Sequence, residues 1–168
     1  MERITDTHVF FWGGELSNWY ECPFRYKNLN FYNSEQAFMW EKAMFFNDTK
    51  IAEEILKTPN PKDCKKFGRM VKNFNDEDWI INSYSFMVNV NYAKYNQTGN
   101  RYIRSSMCRN LLLSTGDKIL VEASVYDKIW GIGLHWDDDD CLDETKWKGM
   151  NLLGKALMEV RKNLKTKL

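Results

Sequence analysis

The sequence predicts one mostly helical globular domain with a few short strands, and three observations carry that reading. At 168 residues the chain has the usual size of a single domain and is long enough to bury a core. Hydrophobic residues make up 43% and charged residues 28%, the balance of a folded rather than a disordered chain. Apolar residues recur near a helical period of 3.6 over much of the length, whereas the strand-like runs are short. With no internal repeat, low-complexity tail or linker in view, residues 1–168 read as one domain.

Val9-Phe10-Phe11-Trp12 reads as a short buried strand closed by Gly13-Gly14, and 16–22, running up to Pro23, reads as loop. Phe24-Arg25-Tyr26 and Leu29-Asn30-Phe31 alternate as a hairpin with Lys27-Asn28 at its tip. Ser34 is the expected N-cap of a long helix carrying Ala37, Phe38, Trp40, Met44 and Phe45. A second helix starts at Asp48 or Thr49 and stops before Pro59; Pro61 opens a third that holds Cys64 and Phe67 and ends near Gly68. The spacing of Trp79, Ser83, Phe86, Met87 and Val90 predicts a helix over 76–91, and 92–113 reads as one more helix broken near Gly99. Residues 118–123 read as a strand, 128–134 as an apolar segment punctuated by glycines, and 137–140 as a solvent-facing loop. The final amphipathic helix is expected over 149–162, with Leu152, Leu153, Ala156, Leu157 and Val160 inward.

Composition narrows the function classes. A formal charge of +1, from 24 basic and 23 acidic residues, argues against a dedicated duplex nucleic-acid binder but leaves a nucleotide or a single modified base as ligand. Aromatics at 15% exceed what a helical core needs, so some are expected to line a pocket where rings stack on flat ligands. The four cysteines, Cys22, Cys64, Cys108 and Cys141, have no metal-ligand spacing and read as free thiols; no metal and no cofactor are expected. No run approaches the ~18 apolar residues of a membrane span, and the start of the chain has no signal-peptide h-region. The expected location is cytoplasmic, with no membrane partner.

Glu35 falls in the first turn of the long helix, where the helix dipole favours an acid. Residues 35, 38, 39 and 42 share one helical face, so Lys42 points the same way about two turns on. A carboxylate and an ammonium on one concave face suit acid/base work and phosphate binding; on an open face they would be solvated charges. Phe10, Phe11, Trp12, Trp19 and Trp79 are stacking candidates, with core packing as the alternative. Asp127, just before Trp130-Gly131-Ile132-Gly133, is either a sugar-binding or catalytic carboxylate or a turn aspartate. Gly131 and Gly133 allow close backbone approach, but the rest of a dinucleotide fingerprint is missing. The acidic run 137–140 lacks the spaced ligands of a calcium loop. Arg101, Arg104 and Arg109 are spaced to share part of a helical face and form a local basic patch or a solvated one.

Taken in order, these segments resemble one family, the NADAR domain or YbiA-like superfamily. The resemblance runs from Phe10-Phe11 and Leu16-Ser17-Asn18-Trp19 through Phe31-Tyr32-Asn33-Ser34-Glu35-Gln36-Ala37-Phe38 and Lys42. It continues with Gly68-Arg69, Trp79, Leu111-Leu112-Leu113-Ser114-Thr115-Gly116, Leu120-Val121-Glu122 and Asp127 with Trp130-Gly131-Ile132-Gly133, and closes on 151–161. Each piece is weak alone; the ordered set over nearly the whole chain is specific. The resemblance implies a compact, predominantly helical α+β fold and cleavage of an N-glycosidic bond. One branch of the family acts on phosphorylated riboflavin-biosynthesis intermediates, and another removes ADP-ribose from modified guanine. The riboflavin-linked type carries an acid between the two glycines and a His and an aromatic after the glutamate, where this chain has Ile132, Gln36 and Ala37.

The expectation is therefore hydrolysis of an N-ribosidic bond that releases ADP-ribose from ADP-ribosylated guanine in nucleotide, DNA or RNA. The alternatives are the riboflavin-intermediate activity and a module that binds ADP-ribose or a nucleotide without cleaving it. The resemblance places catalysis on Glu35, with Asp127 as a second acid. Asn18, Lys42, Arg69, Trp79, Trp130 and Gly131, with Phe11 and Trp12, are the expected substrate contacts; Lys42 and Arg69 would face phosphate and the rings a base.

Overall fold

A computed structural model describes residues 3–166. In chain order the elements are β1 (Arg3–Ile4), β2 (His8–Phe11), β3 (Phe24–Tyr26), β4 (Leu29–Phe31), α1 (Ser34–Phe45), α2 (Thr49–Lys57), α3 (Pro61–Gly68), α4 (Asp76–Tyr95), α5 (Ile103–Ser114), β5 (Ile119–Glu122) and α6 (Leu152–Lys165). This is an α+β fold, mainly helical. Its contacts group into two units, one of the residues up to Tyr20 with those from Met107 on, the other Glu21–Ser106.

In the Glu21–Ser106 unit, β3 and β4 form the expected hairpin, with Phe24 opposite Phe31. Lys27 (φ 47°) and Asn28 (φ 65°) both take the left-handed conformation that a two-residue hairpin turn demands. Helix α1 is packed by α2, α3 and α4, which buries even Glu35 and Glu41. The carboxylate of Glu41 is matched by Lys27 Nζ at 2.7 Å. Burial and that carboxylate together push the Tyr26 phenol well above its ordinary value.

Two expectations are corrected in this unit. The N-cap of α1 is Asn33, not Ser34: Asn33 has extended backbone, and its side chain accepts the Gln36 N–H. Ser34 lies one residue inside the helix and donates its hydroxyl to Asn91 Oδ1 at 3.1 Å. The segment 92–113 breaks near Gly99 as expected, but its first residues do not start a new helix. Residues 92–95 complete α4, and the polar run after Tyr95 leads to Gly99 (φ 93°), whose left-handed backbone turns the chain before α5 begins. The predicted starts of α2 and α3 hold, with Asp48 capping Ile51 N–H and Pro61 in the first turn behind the Asn60 cap.

In the other unit, β1 pairs antiparallel with β2, and β2 pairs parallel with β5, Phe10 beside Val121. The core here is Phe10, Val121, Ala123, Ile132, Leu134 and Cys141, with Trp136 and Trp147 against it. Strand order β1-β2-β5 leaves one edge of β5 without a strand. Asn151 covers it: its side chain accepts Glu122 N–H at 3.0 Å and donates to Leu120 O at 2.9 Å. The 128–134 segment forms no strand; Ile132 N–H donates to Glu122 O at 3.0 Å and Gly133 N–H to Ser124 O at 2.9 Å, and the positive φ of Gly133 then turns the chain away. Helix α6 starts after Asn151 and lies on β5, close enough that a side chain at Gly154 would strike Leu120 O. The 137–140 stretch is solvent-facing over Asp137–Asp139, and Asp140 pairs with Lys146 at 2.6 Å.

Candidate functional site

Glu35 is 6% exposed although it sits in the first turn of a helix. A first-turn acid normally stays in water, because burying a carboxylate carries a desolvation penalty. Its surroundings respond to it. The Cys64 thiol of α3 is pushed up to about 12, first by burial and then by the nearby Glu35 charge. Cys64 donates its thiol hydrogen to Thr58 O at 3.0 Å, so it is a neutral wall rather than a nucleophile.

Along the same face of α1 stand Phe38 and Lys42, and Trp79 of α4 joins them. The Trp79 ring lies 5.2 Å from Phe38 and also meets Phe45, Phe46 and Phe86, the last stacked at 5.9 Å. Lys42 Nζ lies 3.9 Å from the Phe74 ring centre and 5.7 Å from that of Trp79. Half-burial holds the Lys42 ammonium below the usual lysine value, and Asp76 partly opposes that shift. The face therefore presents a buried carboxylate, a cation against aromatic rings and an apolar wall. Such a surface suits a substrate with a flat base and an anionic group. Arg69 stands exposed at the C-cap of α3.

The remaining predicted residues lie in the other unit. Because β2 and β5 run parallel, Trp12 and the loop that carries Asp127 both follow strand ends at the same end of the sheet. Trp12 is 49% exposed and its ring lies 6.2 Å from Trp136, whose ring centre is 3.7 Å from that of His135 in a tilted arrangement. Phe11 is corrected: it is fully buried and belongs to the core, leaving no ring face for a ligand. Asn18 is buried. Asp127 is half-buried, and its Oδ1 accepts the N–H groups of Ile129 at 3.0 Å and Trp130 at 2.8 Å. This oxygen folds the turn, the structural role weighed for it above. A side chain at Gly131 would meet Asp127 O at 2.8 Å and Glu122 O at 2.9 Å, so its hydrogen allows the turn to close on the strand.

Sequence reasoning missed Asn33 and Gln36, which set the start of α1, and Asn151, which completes the β5 edge. A signal existed for Asn33, since Asn caps helices as well as Ser does. None existed for Asn151, whose partners lie some thirty positions away.

The fold is that of a solved protein. The NMR structure of the Escherichia coli protein YbiA superposes with a TM-score of 0.76 at 28% identity, over 98% of this chain and 89% of that one. The chain belongs to the NADAR domain family, which matches residues 10–165. It is 35% identical over 170 residues to N-glycosidase R617 of Acanthamoeba polyphaga mimivirus, 94% of this chain and 96% of that protein. It is also 41% identical over 143 residues to Protein irg-1 of Caenorhabditis elegans, covering 84% of this chain but 64% of that protein. Among the described residues no helix is long and apolar enough to cross a membrane.

Proposed function

We propose that this protein is an N-glycosidase that hydrolyses the bond between ADP-ribose and a modified guanine, carried in a nucleotide or a nucleic acid. The coarser part, an N-glycosidase-type hydrolase of the NADAR family, is supported by the family match and by relatives named N-glycosidase. The observation that carries the choice of catalytic group is the burial of Glu35 in a helix turn where a carboxylate is ordinarily solvated.

In the proposed reaction the C1′–N bond breaks, its electron pair leaves with the base, and C1′ becomes oxocarbenium-like. Glu35 is negative where that charge develops and orients the attacking water, whose proton it accepts as the C1′–O bond forms. The departing base takes up a proton and the ribose keeps the hydroxyl. Lys42 is assigned to phosphate and the Trp79 face to the base.

The test compares wild type with Glu35→Gln on DNA or RNA bearing ADP-ribosylated guanine and on phosphorylated riboflavin precursors, with products read by mass spectrometry. Free ADP-ribose is expected from wild type, with a loss of about 10²- to 10³-fold in kcat for Glu35→Gln. Cleavage of the riboflavin precursors alone moves the protein to the other branch. Tight binding of ADP-ribose without turnover makes it a binding module, and equal activity in the variant removes Glu35 from the mechanism.

A further inference from the structure

Glu35 is followed by a residue that does no chemistry in the scheme above yet is fully buried and fully engaged. Gln36 Oε1 accepts Tyr32 N–H at 2.8 Å. Its Nε2 group donates to Ile55 O at 2.9 Å, Leu56 O at 3.3 Å and Thr58 O at 2.9 Å, the carbonyls at the C-terminal end of α2. Its backbone N–H donates to Asn33 Oδ1 at 2.9 Å, and Asn33 Nδ2 donates to Pro59 O at 2.8 Å. One side-chain amide thus joins the chain before α1, the first turn of α1 and the carbonyls at the end of α2, of which Ile55 O also accepts the Thr58 N–H at 3.0 Å. Thr58 O also accepts the thiol of Cys64, whose charge environment includes Glu35.

Only an amide suits this place. The hydrogen-bond demand is one acceptor on one side and donors on the other, which a carboxylate cannot meet at neutral pH and an apolar side chain cannot meet at all. On the adjoining side of the helix, Ser34 Oγ donates to Asn91 Oδ1 of α4 at 3.1 Å, and Asn91 Nδ2 donates to Met87 O at 3.2 Å. Glu35 is therefore bracketed by two buried polar side chains that face α2 and α4. An interior held by directional bonds on both sides leaves the intervening carboxylate little freedom of position.

We propose that Gln36 is the positioning residue of the reaction: its amide fixes where Glu35 stands, so losing it lowers kcat rather than substrate affinity. This rests on the reading of Glu35 as the catalytic carboxylate. A displacement of about 1 Å in a catalytic group costs about 10²-fold in rate, which sets the expected size.

The experiment measures kcat and KM against pH for wild type, Gln36→Leu, Gln36→Glu, Glu35→Gln and the core control Val90→Ala, all well below their unfolding temperatures. The Glu35 carboxyl carbon is titrated by NMR in the wild type and the two Gln36 variants. Gln36→Leu is expected to lose about 10²-fold in kcat with KM within about twofold, while Val90→Ala keeps wild-type kcat. Gln36→Glu is expected to recover activity as the pH falls and its new carboxyl gains the proton needed to donate to the α2 carbonyls. The Glu35 titration midpoint is expected to move in both Gln36 variants. If Gln36→Leu does not fold, Gln36→Glu and the Glu35 titration decide. Gln36 variants with wild-type kcat, or an unmoved Glu35 titration, overturn the inference. A Glu35→Gln variant as active as wild type overturns the underlying reading instead, whatever the Gln36 variants do.

Discussion

Replacing Asn151 by Ala removes one side chain that bonds two groups of the same strand. Asn151 is 1% exposed; it accepts Glu122 N–H at 3.0 Å and donates to Leu120 O at 2.9 Å. Without it, a backbone N–H and a C=O on the open edge of β5 lose their partner beneath α6, at about 1–2 kcal/mol each. Asn151 also holds a left-handed backbone, φ 52°, which Asn tolerates and Ala adopts at about 1 kcal/mol more. The three effects sum to about 3–5 kcal/mol, or roughly 6–20 °C in Tm for a chain of this size. Asn151→Gly keeps the backbone conformation and loses only the bonds, so it should be about 1 kcal/mol less damaged. Urea unfolding followed by circular dichroism and tryptophan fluorescence measures both. A loss below about 1 kcal/mol for Asn151→Ala would refute the argument that a side chain replaces the missing strand; equal losses in the two variants would remove the strain component.

Two further outcomes follow from the same reasoning. The Asp48 carboxyl is held below its usual value mainly by the Lys72 N–H, with the Ile51 N–H adding to the shift against desolvation. A depressed folded-state value gives stability that is present above the unfolded value near 3.8 and is lost as the pH falls toward the folded one; acid titration of stability should therefore be shallower in Asp48→Asn than in wild type, and identical slopes would exclude this group. At Asp127 the turn needs an acceptor, so Asp127→Asn should keep wild-type stability and Asp127→Ala should lose about 1 kcal/mol; wild-type stability in Asp127→Ala would remove the turn role.

The elements that were legible in the sequence are those governed by neighbours along the chain. The hairpin of Phe24–Tyr26 and Leu29–Phe31, the Pro61 start of α3 and the Asp48 cap of α2 each depend on residues within a few positions of one another. The cap of α1 was displaced by one residue because Asn33 and Ser34 are both good caps; the buried partner Asn91, distant in sequence, draws the Ser34 hydroxyl away. Glu35 was found through the ordered family motifs, while its burial comes from three helices closing around α1, which no local pattern encodes. Trp12 and Phe11 are adjacent and equally aromatic, yet one is half exposed and the other enclosed, because β2 is buried on both faces as far as its last residue, Phe11, and Trp12 lies beyond its end. The sequence by itself thus determined the local starts, turns and motif carboxylates. Tertiary structure alone decided which of them are buried and which hydrogen bonds hold them, since those depend on groups that meet only after the chain has folded.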